Sequence, residues 1–178
     1  MRIIGGKYRG RVLFGFDGFE VRPTSDRARE SLFNILGSRI QGKSFLDLFC
    51  GSGAIGIEAL SRGAGKVTFN DNSKKSLALT EANLKKIKAD EDYVLSFQDA
   101  MRFIQSASDK FDFVFIDPPY KSDVKDEILK IVGSVLTDDG IIIAEREDEI
   151  TEFDDGGLEL FDERKYGRAR FYFFRKKD

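Results

Sequence analysis

The chain has 178 residues, 41% of them hydrophobic and 34% charged, a composition that fits one soluble globular domain and leaves no room for two ordinary domains and a linker. It contains no histidine and a single cysteine, Cys50, which excludes histidine general bases, Ser-His-Asp triads, the usual zinc sites and any intramolecular disulfide. The formal net charge of −2 weighs against nucleic acid as a partner, because phosphate binding is driven by counterion release from basic surface, but the charge is unevenly spread.

Residues 1–22 read as a small β-rich arm, with short strands joined by glycine turns in "RIIGGKYRGRVL" and too little apolar content for a core of its own. Arg2, Lys7, Arg9 and Arg11 stand in it without an acid through residue 11, which makes them candidate RNA contacts. The basic start lacks the apolar stretch of a signal peptide, and no run approaches the roughly 20 residues of a membrane span, so a cytoplasmic protein with no membrane partner is expected. The main domain is expected over 23–178. In "RPTSDRARESLFNIL", Pro23 with Thr24 or Ser25 marks a helix start, and Ala28, Leu32, Ile35 and Leu36 form one apolar face.

From Phe45 onward strands and helices alternate: "SFLDLF", a helix near Ala54 to Ser61, "KVTFN", a helix near Ser73 to Ile87, "YVLSF", a short helix near Met101 to Ile104, "FDFVFI", a helix near Asp123 to Gly133, and "GIIIAE". Strict alternation implies βαβ units and a parallel sheet with helices on both faces, an α/β fold of Rossmann-like type. The acidic run from Glu145 to Asp155 reads as a solvated face. The end, "LELFDERKYGRARFYFF", reads as an antiparallel hairpin around Tyr166-Gly167-Arg168 that closes one sheet edge.

Two segments carry chemistry. In "FLDLFCGSGAIGIEAL", Gly51, Gly53 and Gly56 follow a strand and open a helix, where glycine permits a tight turn and close approach of a ligand. The spacing also suits a dinucleotide site, with Asp71 twenty residues past Gly51, so an NAD(P)-dependent oxidoreductase is a rival reading. Asp47 opposes it, since a carboxylate there attracts a cationic ligand and repels a pyrophosphate. Cys50 reads as a packed turn residue. In "FVFIDPPYKS", Pro118 and Pro119 must end the strand and leave a rigid loop, because neither can donate to a ladder.

"DLFCGSG" followed by "DPPY" resembles the Rossmann-like methyltransferases that use S-adenosylmethionine to modify exocyclic amines. Over nearly its whole length the chain resembles the RsmD-like 16S rRNA guanine-N2 methyltransferases, through "RIIGGKYRG", "RPTSDRARESLFNIL", "DLFCGSGAIGIEALSRGA", "FQDAMRFI", "FVFIDPPY" and "RKYGRARFYFF". The resemblance implies S-adenosylmethionine as cofactor, no metal, and 16S rRNA as partner, either naked or within a 30S subunit or assembly intermediate. It brings Gly51 and Gly53 to the methionine part of the cofactor with Asp47 and Phe49 nearby, Asp99 and Ala100 to the adenine, and Thr24 over the cofactor. The family's acidic ribose ligand has two candidates here, Asn70 and Asp71. Asp117, Pro118, Pro119 and Tyr120 become the catalytic loop, which aligns the target amine through Asp117 and the Pro118 carbonyl while Tyr120 offers a stacking surface. Adenine-N6 methylation of DNA or RNA, and an inactive RNA-binding protein, are the alternatives.

Overall fold

The computed structural model describes residues 1–17, 24–119, 125–147 and 156–178. Its centre is a seven-stranded sheet in the order β3-β2-β1-β4-β5-β7-β6. The strands are β1 (Ser44–Asp47), β2 (Lys66–Asp71), β3 (Asp92–Phe97), β4 (Phe111–Ile116), β5 (Leu136–Arg146), β6 (Leu158–Tyr166) and β7 (Ala169–Lys176). β1 to β5 run parallel, and β7 lies antiparallel between β5 and β6. The mostly parallel sheet and the C-terminal hairpin are those the sequence pattern predicts. The hairpin closes the edge with its second strand inward, and composition explains why. Phe171, Tyr172, Phe173 and Phe174 make β7 apolar on both faces, as an interior strand requires, while β6 is studded with charged residues suited to an edge.

Alternation along the strands divides the core between the two faces of the sheet. Phe45, Phe69, Phe113, Phe115, Ile143 and Phe171 pack beneath α1 (Asp26–Leu36), α2 (Ala54–Ser61) and α3 (Lys74–Ile87). Leu46, Val114, Ile116, Ile142, Ala144 and Tyr172 pack against α4 (Ala100–Ser106) and α5 (Lys125–Val132). The period of two in the side chains is what lets one strand serve both layers. Ser25 caps α1 by accepting from the Ala28 amide, and Ser73 caps α3 by accepting from the Ser76 amide, so each helix begins where its hydroxyl side chain predicts. α4 starts earlier than its apolar residues suggest, because Asp99 caps it. β5 starts at Leu136, ahead of the "GIIIAE" run, through an irregular pairing with β4 at Phe111.

The arm forms no regular strand among residues 1–17; its one bridge is antiparallel, Arg2 to Val12. Its apolar side chains Ile3, Tyr8 and Leu13 are buried in the core beneath α1 and α2. Glu58, fully buried on α2, accepts from the amides of Ile4 and Gly5, both at 2.9 Å. The same carboxylate meets Arg62 at 2.8 Å and Arg29 at 3.7 Å. Arg29 is therefore buried on the inner face of α1 beside Ala28, Leu32 and Leu36, which apolar periodicity alone does not reveal. No helix among the described residues is long and apolar enough to cross a membrane.

Candidate active site

The order of strands reverses between β1 and β4, and in open α/β sheets the crevice at the carboxyl ends beside such a reversal binds ligands. Asp47 ends β1 at only 1% exposure. Its Oδ2 accepts from the Gly56 amide at 2.9 Å, whereas Oδ1 is buried with no hydrogen-bond partner among the described residues. Burial pushes this carboxyl up to about 7. The glycines above it divide by role. A Cβ at Gly53 would come within 2.7 Å of Thr80 and one at Gly56 within 2.3 Å of the Phe69 ring, so both permit close packing. At Gly51, with φ +54°, a Cβ would meet nothing nearer than the edge of Phe16 at 3.7 Å, which leaves this backbone open to a ligand. Cys50 is buried beside Thr80, and its thiol is pushed well up by desolvation, in keeping with a packed turn residue.

At the end of β2 the two ribose candidates have different surroundings. Asn70 is buried, and its amide donates to the carbonyls of Leu48 at 3.2 Å and Gln98 at 3.1 Å, which ties the loops after β1 and β3 together. Asp71 is half-buried and accepts from the Gly51 amide at 3.0 Å and the Ser73 amide at 2.9 Å, on the glycine-loop side. Asp99 is exposed and caps α4, its Oδ1 accepting from Met101 and Arg102, with Ala100 buried behind it. Phe49 is half-buried against the α4 and α5 layer.

On the other side of the reversal Asp117 is half-buried, Pro118 buried and Pro119 exposed, while Tyr120 lies outside the described residues. Ile116 pairs with Ala144, so Asp117 stands next to Glu145 at the carboxyl ends of adjacent strands. Glu145 is not among the candidate site residues that the sequence offers. It is half-buried rather than part of a solvated acidic face, and Thr24 donates to its Oε2 at 2.5 Å. Burial pushes its carboxyl up, partly offset by the Thr24 hydrogen bond. Thr24 thus meets the sheet at β5, two strands from β1. The signal was present in the sequence: β1 and the β4 run also lead from apolar residues into a carboxylate, as "FLD" and "FID", and "IIIAE" repeats that pattern.

The four basic residues of the arm are all exposed but differently engaged. Lys7 forms ion pairs with Asp90 and, at 2.9 Å, Glu91. Arg11 donates to the Ile87 carbonyl at the end of α3 and lies over the Tyr8 ring. Arg2 and Arg9 have no ion-pair partner among the described residues.

A family model described as "Conserved hypothetical protein 95" matches residues 1–175. The chain belongs to this family. The chain is 38% identical over 151 residues to the ribosomal RNA small subunit methyltransferase D of Escherichia coli K12, covering 84% of this chain and 76% of that protein. It is 37% identical over 135 residues to the protein of the same name from Haemophilus influenzae, covering 74% and 70%. In fold it matches the solved structure of a methyltransferase named yhhF from Escherichia coli, with a TM-score of 0.88 and 32% identity over 99% of this chain and 98% of that one. The kinship with RsmD-like enzymes carried by six sequence segments therefore holds.

Proposed function

We propose that this chain transfers a methyl group from S-adenosylmethionine to the exocyclic N2 amine of a guanine in small-subunit ribosomal RNA. The observation that carries the reading is the crevice itself: the open glycine backbone and buried Asp47 on one side of the strand reversal, Asp117 with its two prolines on the other. The names of the Escherichia coli and Haemophilus influenzae relatives support ribosomal RNA as substrate.

The residues fit the cofactor. S-adenosylmethionine supplies an electrophilic methyl on a cationic sulfonium. A buried carboxylate with an unpartnered oxygen, Asp47 Oδ1, suits a cationic ligand and disfavours the pyrophosphate of NAD. Gly51 and Gly53 with Phe49 would border the methionine part, and Asp99 with Ala100 the adenine. Asp71 is the better ribose ligand, because its carboxylate is half-exposed on the glycine-loop side, while Asn70 is 1% exposed with its NH2 given to two carbonyls and only its Oδ1 unpartnered among the described residues.

The amine of guanine conjugates with its ring and attacks poorly until acceptors hold its hydrogens and free its lone pair. Asp117 and the Pro118 carbonyl would do this, and the prolines remove two competing donors. In-line positioning is then the main catalytic contribution. Glu145 favours guanine over adenine: a second acceptor beside Asp117 suits the guanine N1–H donor, whereas adenine N1 is itself an acceptor. Tyr120 would stack on the base, and Thr24, hydrogen-bonded to Glu145, would border the target side. Arg2, Lys7, Arg9 and Arg11 in an arm over 1–22 remain the first candidates for phosphate contact, with Arg2 and Arg9 the better placed.

The test is incubation with labelled S-adenosylmethionine and undermodified 30S subunits or 16S rRNA, followed by mapping of the label. Label on guanine N2, lost in Asp117→Ala while S-adenosylhomocysteine still binds, is the expected outcome. Label on adenine N6 would replace the substrate assignment, and a larger thermal shift with NAD(H) than with S-adenosylhomocysteine would replace the cofactor.

A further inference from the structure

Among the described residues the exposed aromatic rings gather beside α3, apart from Phe161, which is 40% exposed on β6 at the far edge of the sheet. Phe14 is 48% exposed and Phe97 53%, with Phe16 half-exposed between the arm and the glycine loop. Single exposed apolar residues are ordinary, but here each ring carries a lysine ammonium from the same helix. Lys86 lies 3.9 Å from the Phe14 centroid, Lys75 5.9 Å from Phe16, and Lys74 5.5 Å from Phe97. α3 holds four lysines, Lys74, Lys75, Lys85 and Lys86, against one acid, Glu81, and Glu81 is taken by Lys85 at 3.0 Å. Lys74, Lys75 and Lys86 have no carboxylate partner among the described residues. This contrasts with Lys7 on the arm, whose charge is already met by two carboxylates.

We propose that this face of α3 is the track for a single-stranded segment of the RNA substrate flanking the target base. Rings that accept stacked bases, interleaved with unpaired ammonium groups that accept phosphates, are what a single strand requires, and no base identity need be read. Lys75 and Lys86 stand three helical turns apart on one side, so the track runs about 16 Å along the helix, and Lys74 with Phe97 lies about 100° round the helix at its N-terminal end. It is held in place: the Phe14 amide donates to Asn83 Oδ1 at 2.7 Å, and Asn83 donates back to the Phe14 carbonyl at 3.1 Å and to the Ser52 carbonyl at 2.9 Å. The ring is therefore displayed from fixed backbone. At its far end Phe16 lies against Gly51, which brings the track to the mouth of the candidate active site. The proposal rests on the reading of the protein as an RNA methyltransferase.

Two variants test it, K74Q/K75Q/K86Q and F14A/F97A, with folding followed by melting temperature and binding measured on a single-stranded RNA dodecamer. The charge variant is expected to lose at least tenfold in affinity at low salt and to flatten the log–log salt slope by about 2, since each lost phosphate contact removes about 0.7. The ring variant is expected to lose a similar factor with the slope unchanged, and both should keep wild-type affinity for S-adenosylhomocysteine. Unchanged RNA affinity and slope in both variants overturn the track, as does a parallel loss of S-adenosylhomocysteine affinity, which would assign the rings to the cofactor pocket. Loss of binding to anionic phospholipid vesicles but not to RNA overturns it in favour of a lipid surface. If wild type methylates guanine while the variants bind RNA normally, the track alone fails. If RNA affinity falls in the variants but wild type methylates no RNA, the reaction assignment fails and the track stands.

Discussion

Two carboxylates are buried at opposite ends of α2, and they are treated differently. Glu58, near its C-terminus, accepts from two backbone amides and faces Arg29 and Arg62. Asp47, beneath its N-terminus, accepts from one amide and keeps an oxygen unpartnered among the described residues. A buried charge is tolerated when its acceptors are filled, and filling them makes it part of the scaffold. A buried carboxylate left half-filled costs stability, and such sites are where proteins bind or catalyse. Glu58 therefore reads as a clamp and Asp47 as a ligand group.

The comparison breaks most visibly if Glu58 is removed. Glu58→Ala leaves Arg29 buried without its main counterion and two arm amides without acceptors, and is expected to cost about 3–5 kcal/mol in denaturant unfolding. Affinity of the folded protein for S-adenosylhomocysteine should persist. Stability within 1 kcal/mol of wild type, as an order-of-magnitude bound, would show the clamp to be ornamental.

Asp47→Asn sharpens the other half of the comparison. The folded carboxyl titrates near 7, above its ordinary 3.8, so between these values the folded state holds a proton that the unfolded chain has released. Its contribution is favourable to folding only at acid pH and is lost as pH climbs from about 4 to 7. The variant should flatten that part of the stability profile, become more stable than wild type above pH 7 by a few kcal/mol at most, and bind S-adenosylhomocysteine at least tenfold more weakly. A parallel pH profile for the two proteins would remove Asp47 from this role.

The smallest effect is expected at Glu145, whose carboxyl is partly engaged by Thr24. Glu145→Gln preserves shape and the Thr24 contact while replacing an acceptor with a donor, so guanine turnover should fall about tenfold, the scale of one misplaced hydrogen bond, with cofactor affinity intact. Equal turnover would confine Glu145 to holding Thr24.

Strand ends, the glycine loop and the Asp-Pro-Pro segment were legible because each combines an apolar run with residues that must break it. Glu145 is harder to read, since six of the ten residues that follow it are acidic and the run as a whole reads as a solvated surface, which hides the apolar-to-carboxylate pattern of "IIIAE". The choice between Asn70 and Asp71 was open because it depends on which face of β2 each side chain takes, a matter of one residue in register. The arm is a separate case. Its cations look available in sequence, but Lys7 finds its acids at Asp90 and Glu91, and no local pattern announces a partner so far along the chain.

That long reach also governs timing. Tyr8 and Lys7 find their carboxylate partners 82 to 84 residues later, and the arm's backbone finds Glu58 more than fifty residues later. During synthesis at roughly 5–20 residues per second, the first segment made waits on the order of ten seconds for the carboxylates that pair with it. Until the core is complete, Ile3, Tyr8 and Leu13 lack the apolar partners that bury them in the folded protein.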